Sequence, residues 1–360
     1  MKRITVLVVD DSALMRREIR RILESDPDIK VVAASRSGEE ALLHIDQFDP
    51  DVVTLDINMA EMDGLTALQH IMMQSPRPVV MLSSLTQEGA ITTYEAMELG
   101  AVDFVGKPGG TISKNMSEVS ADLLFKVKAA ASANLKSLGA SRKRRRAQRQ
   151  QLKVSPKPGG LHASDFLGKA VVIGQSTGGP NTIFEILPHL PGDLGVPVFI
   201  IQHMPKTFTP GFAKRLDDNC ALSFKEAAAG DVIEAGCGYL APGDIHMTLT
   251  SRGVGKGCMI RLNKTPIGTL HTPSVDITMD SILEFYGANT IGVLLTGMGS
   301  DGADAMVNIR RSGGRTIAES EETCVVFGMP KEAIARGGAE FVLPAYEIAK
   351  KIVELVRKKG

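Results

Sequence analysis

Ala170-Val171-Val172-Ile173-Gly174-Gln175-Ser176-Thr177-Gly178-Gly179-Pro180 is the stretch on which the reading of the chain turns. Its first four residues are apolar, three of them β-branched, the mark of a short buried strand. Gly174 to Gly179 then makes a tight turn, and Asn181 to Leu187 reads as the helix that follows. Ser176 thus falls between a strand end and a helix start, where backbone N–H groups can hold an oxyanion. The glycines around it remove Cβ bulk, so a substrate can approach the backbone. Gly-x-Ser-x-Gly also matches the nucleophile-elbow pattern. Taken alone, the same residues suit a glycine turn whose serine caps a helix, so partners elsewhere in the chain must decide.

Two further strands supply them. Val196 to Ile201 runs into Gln202-His203-Met204-Pro205, and Ile291 to Leu295 runs into Thr296-Gly297-Met298-Gly299-Ser300-Asp301-Gly302. Ser176, His203 and Asp301 each follow a buried strand, the placement that a nucleophile, its base and an orienting carboxylate require. Backbone N–H groups of Thr177 or Met298 would hold the oxyanion. Alternatives stand beside this. Asp301 equally suits an N-cap for the helix Ala303 to Ile309. His246 and His271 are competing bases, the latter opening a polar loop, His271 to Asp276, before a helix from Ile277 to Phe285. The order Ser, His, Asp is not that of the α/β-hydrolases. Gly297 to Gly302 also fits G-x-G-x-x-G, with Glu319 to Glu322 at the distance of a dinucleotide fingerprint, although no strand ending in that acid is read there. Tyr239 to Gly243 and Met247 to Thr250 read as a hairpin insert. In the tail, Ile348, Ile352, Leu355 and Val356 fall on one helical face that docks onto the domain.

The first 121 residues repeat the strand-then-polar-end pattern. Ile4 to Val9 ends in Asp10-Asp11, Val52 to Leu55 in Asp56, Val79 to Leu82 in Ser83-Ser84, and Ala101 to Val105 leads to Lys107-Pro108. Helices alternate with these strands and with Val31 to Ala34, so the class is α/β with a doubly wound parallel sheet, its site at the strands' carboxyl ends. Crowded carboxylates repel unless a cation joins them, and oxygen-only ligation suits Mg²⁺. Asp56 could then attack a phosphoryl group, Lys107 stabilising the transferring charge and Ser83 hydrogen-bonding the product.

Composition supports a modular chain of 360 residues, 43% hydrophobic and 23% charged. Residues 1–121 carry a net charge of −8, residues 122–165 of +9 and residues 166–360 of −1. The basic connector holds Arg142-Lys143-Arg144-Arg145-Arg146 and Pro156-Lys157-Pro158-Gly159-Gly160 without interleaved aromatics, so it reads as a flexible, solvated linker rather than a specific nucleic-acid site. The four cysteines form no CxxC and read as free thiols. No apolar run reaches the ~18 residues of a membrane span and no signal peptide is read, so a cytoplasmic location is expected.

With Asp10-Asp11, Asp56, Met62-Asp63-Gly64, Ser83 and Lys107-Pro108 in order, residues 3–120 resemble the flavodoxin-like receiver domain of two-component response regulators. The resemblance implies phosphorylation of Asp56 by a histidine kinase, Mg²⁺ on Asp11, Asp56 and the carbonyl of Asn58, and a switch aromatic at Phe104. The blocks Gly174–Pro180, Gln202–Pro205, His271–Asp276 and Leu295–Gly302 resemble the signatures of the CheB chemotaxis methylesterases. That implies a Rossmann-like domain over residues 166–360 and a Ser176, His203, Asp301 triad. It also implies hydrolysis of glutamate γ-methyl esters on chemoreceptors, with glutamine deamidation, and no cofactor for the esterase. Gln175 departs from the small residue usual in the family before the serine.

Overall fold

The computed structural model describes residues 2–84, 87–107, 116–149, 168–253 and 257–358. Pro108 and the Pro/Gly stretch 156–160 lie outside the described residues. Two compact units divide the chain, Met1–Arg142 and Lys143–Gly360.

In the first unit, β1 (Ile4–Val9), β2 (Ile29–Ser35), β3 (Val52–Asp56), β4 (Val79–Ser83) and β5 (Asp103–Gly106) form one parallel sheet in the order β2-β1-β3-β4-β5. Both faces are covered by helices, which is why β3 and β4 are wholly buried and mostly apolar, with Asp56 and Ser83 at their carboxyl ends. The order reverses between β1 and β3, and Asp10 and Asp56 lie beside each other at that switch point.

Leu123 to Lys128 reads as a helical continuation and lies in helix Met116–Ala131; the basic run beyond it, expected as flexible, lies in a second helix, Leu135–Arg149. Alanine, lysine, arginine and glutamine have high intrinsic helix propensity, and a charge run opposes packing more than it opposes helix formation. Arg144 is held to the buried Glu185, with Nε 2.5 Å from Oε2, and its guanidinium lies over the Tyr346 ring.

The second unit holds β6 (Ala170–Gln175), β7 (Val198–Gln202), β8 (Ser223–Glu226), β9 (Cys237–Leu240), β10 (His246–Ser251), β11 (Cys258–Asn263), β12 (Thr290–Leu294), β13 (Arg315–Glu319) and β14 (Phe341–Leu343). Seven of these make a parallel sheet ordered β14-β13-β12-β6-β7-β9-β8, and β10 pairs antiparallel with β11. The hairpin insert is therefore real but differently composed. Tyr239 belongs to the main sheet, and the partner of Met247 to Thr250 is Met259 to Leu262. The helix expected over Asn181 to Leu187 is a single turn, Gly179–Thr182, followed by 3₁₀ turns at Ile183–Glu185 and Leu187–His189. Pro188 has no N–H and in an α-helix its ring would clash with the Phe184 carbonyl, so no α-helix could run past Leu187. The tail helix Ala345–Arg357 buries Ile348, Ile352, Leu355 and Val356 as read.

Candidate active site and phosphoacceptor pocket

The sheet order places β6 between β12 and β7, and the loops after these three strands carry the site. Gln175 pairs with Gln202, so Ser176 and His203 are the next residues along adjacent strands. Backbone bonds extend the ladder past the strands: His203 N–H donates to Gln175 O at 3.2 Å and Ser176 N–H to Thr296 O at 3.0 Å. The Gln202 amide secures both ends, donating from Nε2 to Ser176 O and to His203 O. Ser176 does not take a left-handed backbone; Gly178 does, at φ +82°. The turn is thus not a strained nucleophile elbow, despite the motif. Gly297 must stay bare, because a Cβ there would lie 2.8 Å from that of Ser176 and 2.3 Å from Met329 Sδ.

His203 Nε2 lies 2.8 Å from Asp301 Oδ2. Asp301 does not cap its own following helix, Ala303–Arg311, whose N-cap is Gly302. It instead accepts from Ser274 Oγ at 2.8 Å, Val275 N–H at 2.8 Å and Asp276 N–H at 3.0 Å. These are the cap and the first free N–H groups of helix Val275–Tyr286, which need acceptors from outside the helix. The exchange is reciprocal, since Asp276 Oδ1 accepts Ala305 N–H in the other helix. Burial pushes the Asp301 carboxyl upward, but the His203 bond and the two N–H groups outweigh it and hold it well below the usual carboxylate range. Burial raises neighbouring Asp276 to about 6.

His203 Nδ1 is buried and has no hydrogen-bond partner among the described residues. Ser176 and His203 directly follow the paired Gln175 and Gln202, and among the described residues no hydrogen bond joins Ser176 Oγ to His203, so the second link of the array is open. The competing histidines have other occupations. His246 Nδ1 accepts Ser274 N–H, and burial lowers its pKa. His271 stacks on His203, ring centroids 4.0 Å apart at 17°. Met298 N–H has no acceptor among the described residues, whereas Thr177 O is tied down by Thr296 Oγ1 at 3.0 Å.

Sequence reasoning missed the clamp on Asp301 and the acid beneath the turn. Glu319, fully buried, accepts Thr296 N–H at 2.8 Å, and burial raises it to about 7. It does end a strand, β13, after a crossover helix from β12. The objection to a dinucleotide fingerprint on that ground therefore fails. A stronger one replaces it: the acid is spent on Thr296 and cannot reach a ribose.

In the first unit, Lys107 Nζ lies 2.8 Å from Asp10 Oδ2 and 2.7 Å from Asp56 Oδ2. Burial raises the Asp56 pKa, Lys107 opposing and Asp10 reinforcing the shift. For Lys107, burial acts downward but the two carboxylates prevail and raise it. Carboxylate oxygens of Asp10, Asp11 and Asp56 all lie within 4.8 Å of one another. Three acids around one ammonium leave negative charge in excess, which fits a hard divalent cation with oxygen ligands. Asn58 N–H donates to Asp56 Oδ1. Ser83 Oγ is engaged with Gly89 O and Thr93 Oγ1. Phe104 is buried beneath Lys126, whose Nζ lies 5.0 Å from the ring centroid and donates to Phe104 O.

An acid-pocket parallel sheet joined to a sheet bearing serine, histidine and aspartate defines a response regulator with a hydrolase output. Residues 171–352 match the CheB methylesterase family and residues 6–114 the response regulator receiver domain. The chain belongs to the CheB methylesterase family. It is 50% identical to "Protein-glutamate methylesterase/protein-glutamine glutaminase 3" of Syntrophomonas wolfei over 99% of this chain and all of that protein. It is 43% identical to the enzyme of the same description from Thermotoga maritima, over 98% of each. The crystal structure of the Thermotoga maritima CheB methylesterase catalytic domain is similar at a TM-score of 0.51 and 45% identity, covering 52% of this chain and 98% of that one. Among the described residues no helix is long and apolar enough to cross a membrane.

Proposed function

We propose that Ser176, His203 and Asp301 hydrolyse glutamate γ-methyl esters, and also glutamine amides, on chemoreceptors under control of phosphorylation at Asp56. The carrying observation is the imidazole of His203, bound through Nε2 to a carboxylate held ionised, with Nδ1 buried, unpartnered and one residue past the strand pair that delivers Ser176. Nδ1 takes the Ser176 proton as Oγ bonds to the ester carbonyl carbon. The Asp301 carboxylate stabilises the imidazolium. Met298 N–H, with Thr177 N–H, faces the oxyanion. Collapse breaks the bond to methoxide, which leaves as methanol with the His203 proton. Water, deprotonated by the same nitrogen, then cleaves the acyl-serine ester and releases the glutamate carboxylate.

In the receiver unit, Asp11, Asp56 and the Asn58 carbonyl would hold Mg²⁺, which when bound supplies charge neutralisation at the transferring phosphoryl group. Asp56 is the acceptor, Lys107 shields the added charge, and a chemotaxis histidine kinase is the donor. The domain organisation we adopt is a receiver over 1–121, a connector over 122–165 and a catalytic domain over 166–360. Methanol release from methylated receptor by the wild type and by Ser176→Ala tests the reading. The variant is expected to lose turnover by at least about 10³-fold while keeping its fold; retained turnover removes the nucleophile.

A further inference from the structure

We infer that the loop from Lys264 to Leu270 is where the enzyme grips its protein substrate, through Ile267 and Leu270; this rests on the methylesterase reading above. The loop leaves β11 and arrives at His271, the residue stacked on His203. Its base is fastened beside the site. Thr269 Oγ1 donates to His271 O at 2.9 Å and lies 3.2 Å from Thr272 Oγ1. Thr272 O in turn accepts Asp244 N–H.

Its two aliphatic side chains, by contrast, stand free in solvent. Ile267 is 88% exposed and Leu270 83%, while no other large apolar side chain described in the Lys143–Gly360 unit exceeds the 47% of Val342. Single exposed aliphatics are ordinary on protein surfaces. Two, three residues apart, on a segment that ends at the residue stacked on the proposed base His203, are placed to be covered when substrate is bound.

The occupant follows from the size of the reacting group. A γ-methyl ester offers only a handful of atoms, and so few atoms bound alone give little affinity. Binding energy for catalysis must then come from parts of the substrate remote from the ester. The relatives' activity is on glutamate within a protein, so such parts exist on either side of the reacting side chain. The partner is an apolar strip on the protein segment that carries the esterified glutamate. Exposed Lys264, on the same loop, suits acidic neighbours of that glutamate.

The test compares two substrates on the full chain. The double variant I267D/L270D is assayed for methanol release from methylated receptor cytoplasmic fragment and from a blocked glutamate γ-methyl ester. Both positions are solvent-exposed, so an unchanged melting transition is the control on folding. Against the fragment, kcat/KM is expected to fall about 10- to 100-fold, chiefly through KM. Against the small ester it should stay within about twofold. Leu270→Met, which keeps an apolar side chain, should stay near wild type on both. Equal losses on both substrates would overturn the inference, assigning the loop to support of His271 instead. No loss on either, or a change in oligomeric state alone, would also overturn it, the latter in favour of a second copy as occupant. A wild type that hydrolyses neither substrate removes the methylesterase reading itself.

Discussion

In the proposed array His203 divides its two nitrogens between two tasks, and Asp301 decides which does which. By taking Nε2, the carboxylate leaves only Nδ1 to serve as the proposed base for the serine. The carboxylate is itself fixed by three further donors, Ser274 Oγ, Val275 N–H and Asp276 N–H. Asp301→Asn keeps the size of the side chain but replaces one acceptor oxygen with an NH₂ group. That group must face either the ring or the helix N-terminus, and both want an acceptor. Turnover is expected to fall about 10³–10⁴-fold, as when a triad carboxylate is neutralised. The variant should also lose about 1–3 kcal/mol of stability from a buried donor without a partner. Methanol release and denaturant unfolding, measured on the same preparation, separate the two effects. Lost activity with His203 still oriented would show a charge effect; unchanged activity would exclude Asp301 from the array.

Between elements, the decisive contact is the end of β13 beneath the end of β12. Glu319 accepts Thr296 N–H, and Thr296 O accepts Ser176 N–H, so the acid supports the nucleophile turn through one residue. Its carboxyl is raised by burial from 4.5 to about 7. Between those values the folded chain keeps a proton that the unfolded chain has released. This contribution is therefore complete at low pH and is lost as pH rises through about 7, on the order of 3 kcal/mol. Glu319→Gln retains a carbonyl for Thr296 and cannot ionise. Denaturant unfolding from about pH 5 to about pH 8 should weaken the wild type more steeply than the variant; parallel pH dependence would exclude Glu319 as the cause.

Glu319 also marks where sequence reading stopped. Ser176, His203 and Asp301 were legible as candidates because each lies just past, or in the loop after, a run of buried apolar residues, and such runs announce parallel strands. Which strands lie side by side is not local information. The order β12-β6-β7 is set by long-range pairing, and only that order turns three strand ends into one site. The clamp on Asp301 was illegible for the same reason, as its donors lie about 25 residues upstream on a helix that merely looked well capped. The short helix after Ser176 was misread although Pro188 was in view, because an apolar run suggested one continuous helix. The basic run was read as flexible linker from its Ala/Ser-rich and Pro/Gly-containing surroundings, although arginine and lysine form helices readily and only their packing is costly.

At the scale of the whole molecule, two α/β units each put their chemistry at the carboxyl ends of a parallel sheet, and regulation requires that one site bias the other. The receiver is built to change charge. Asp56 is buried beside Asp10 with one ammonium between them, so a phosphoryl group and Mg²⁺ alter the electrostatics of the pocket together. Coupling between sites commonly amounts to 1–3 kcal/mol, or about 5–150-fold. A small phosphodonor with Mg²⁺ should accordingly raise methanol release by wild-type enzyme at least about fivefold. Chelating the metal should abolish the increase without lowering the basal rate, because no metal enters the Ser176 reaction as proposed. Asp56→Ala should keep the basal rate and lose the response to donor. Stimulation that persists in Asp56→Ala would place the acceptor elsewhere. A basal rate that falls with chelation would mean the two sites share the metal, and the division of labour between the units would have to be redrawn.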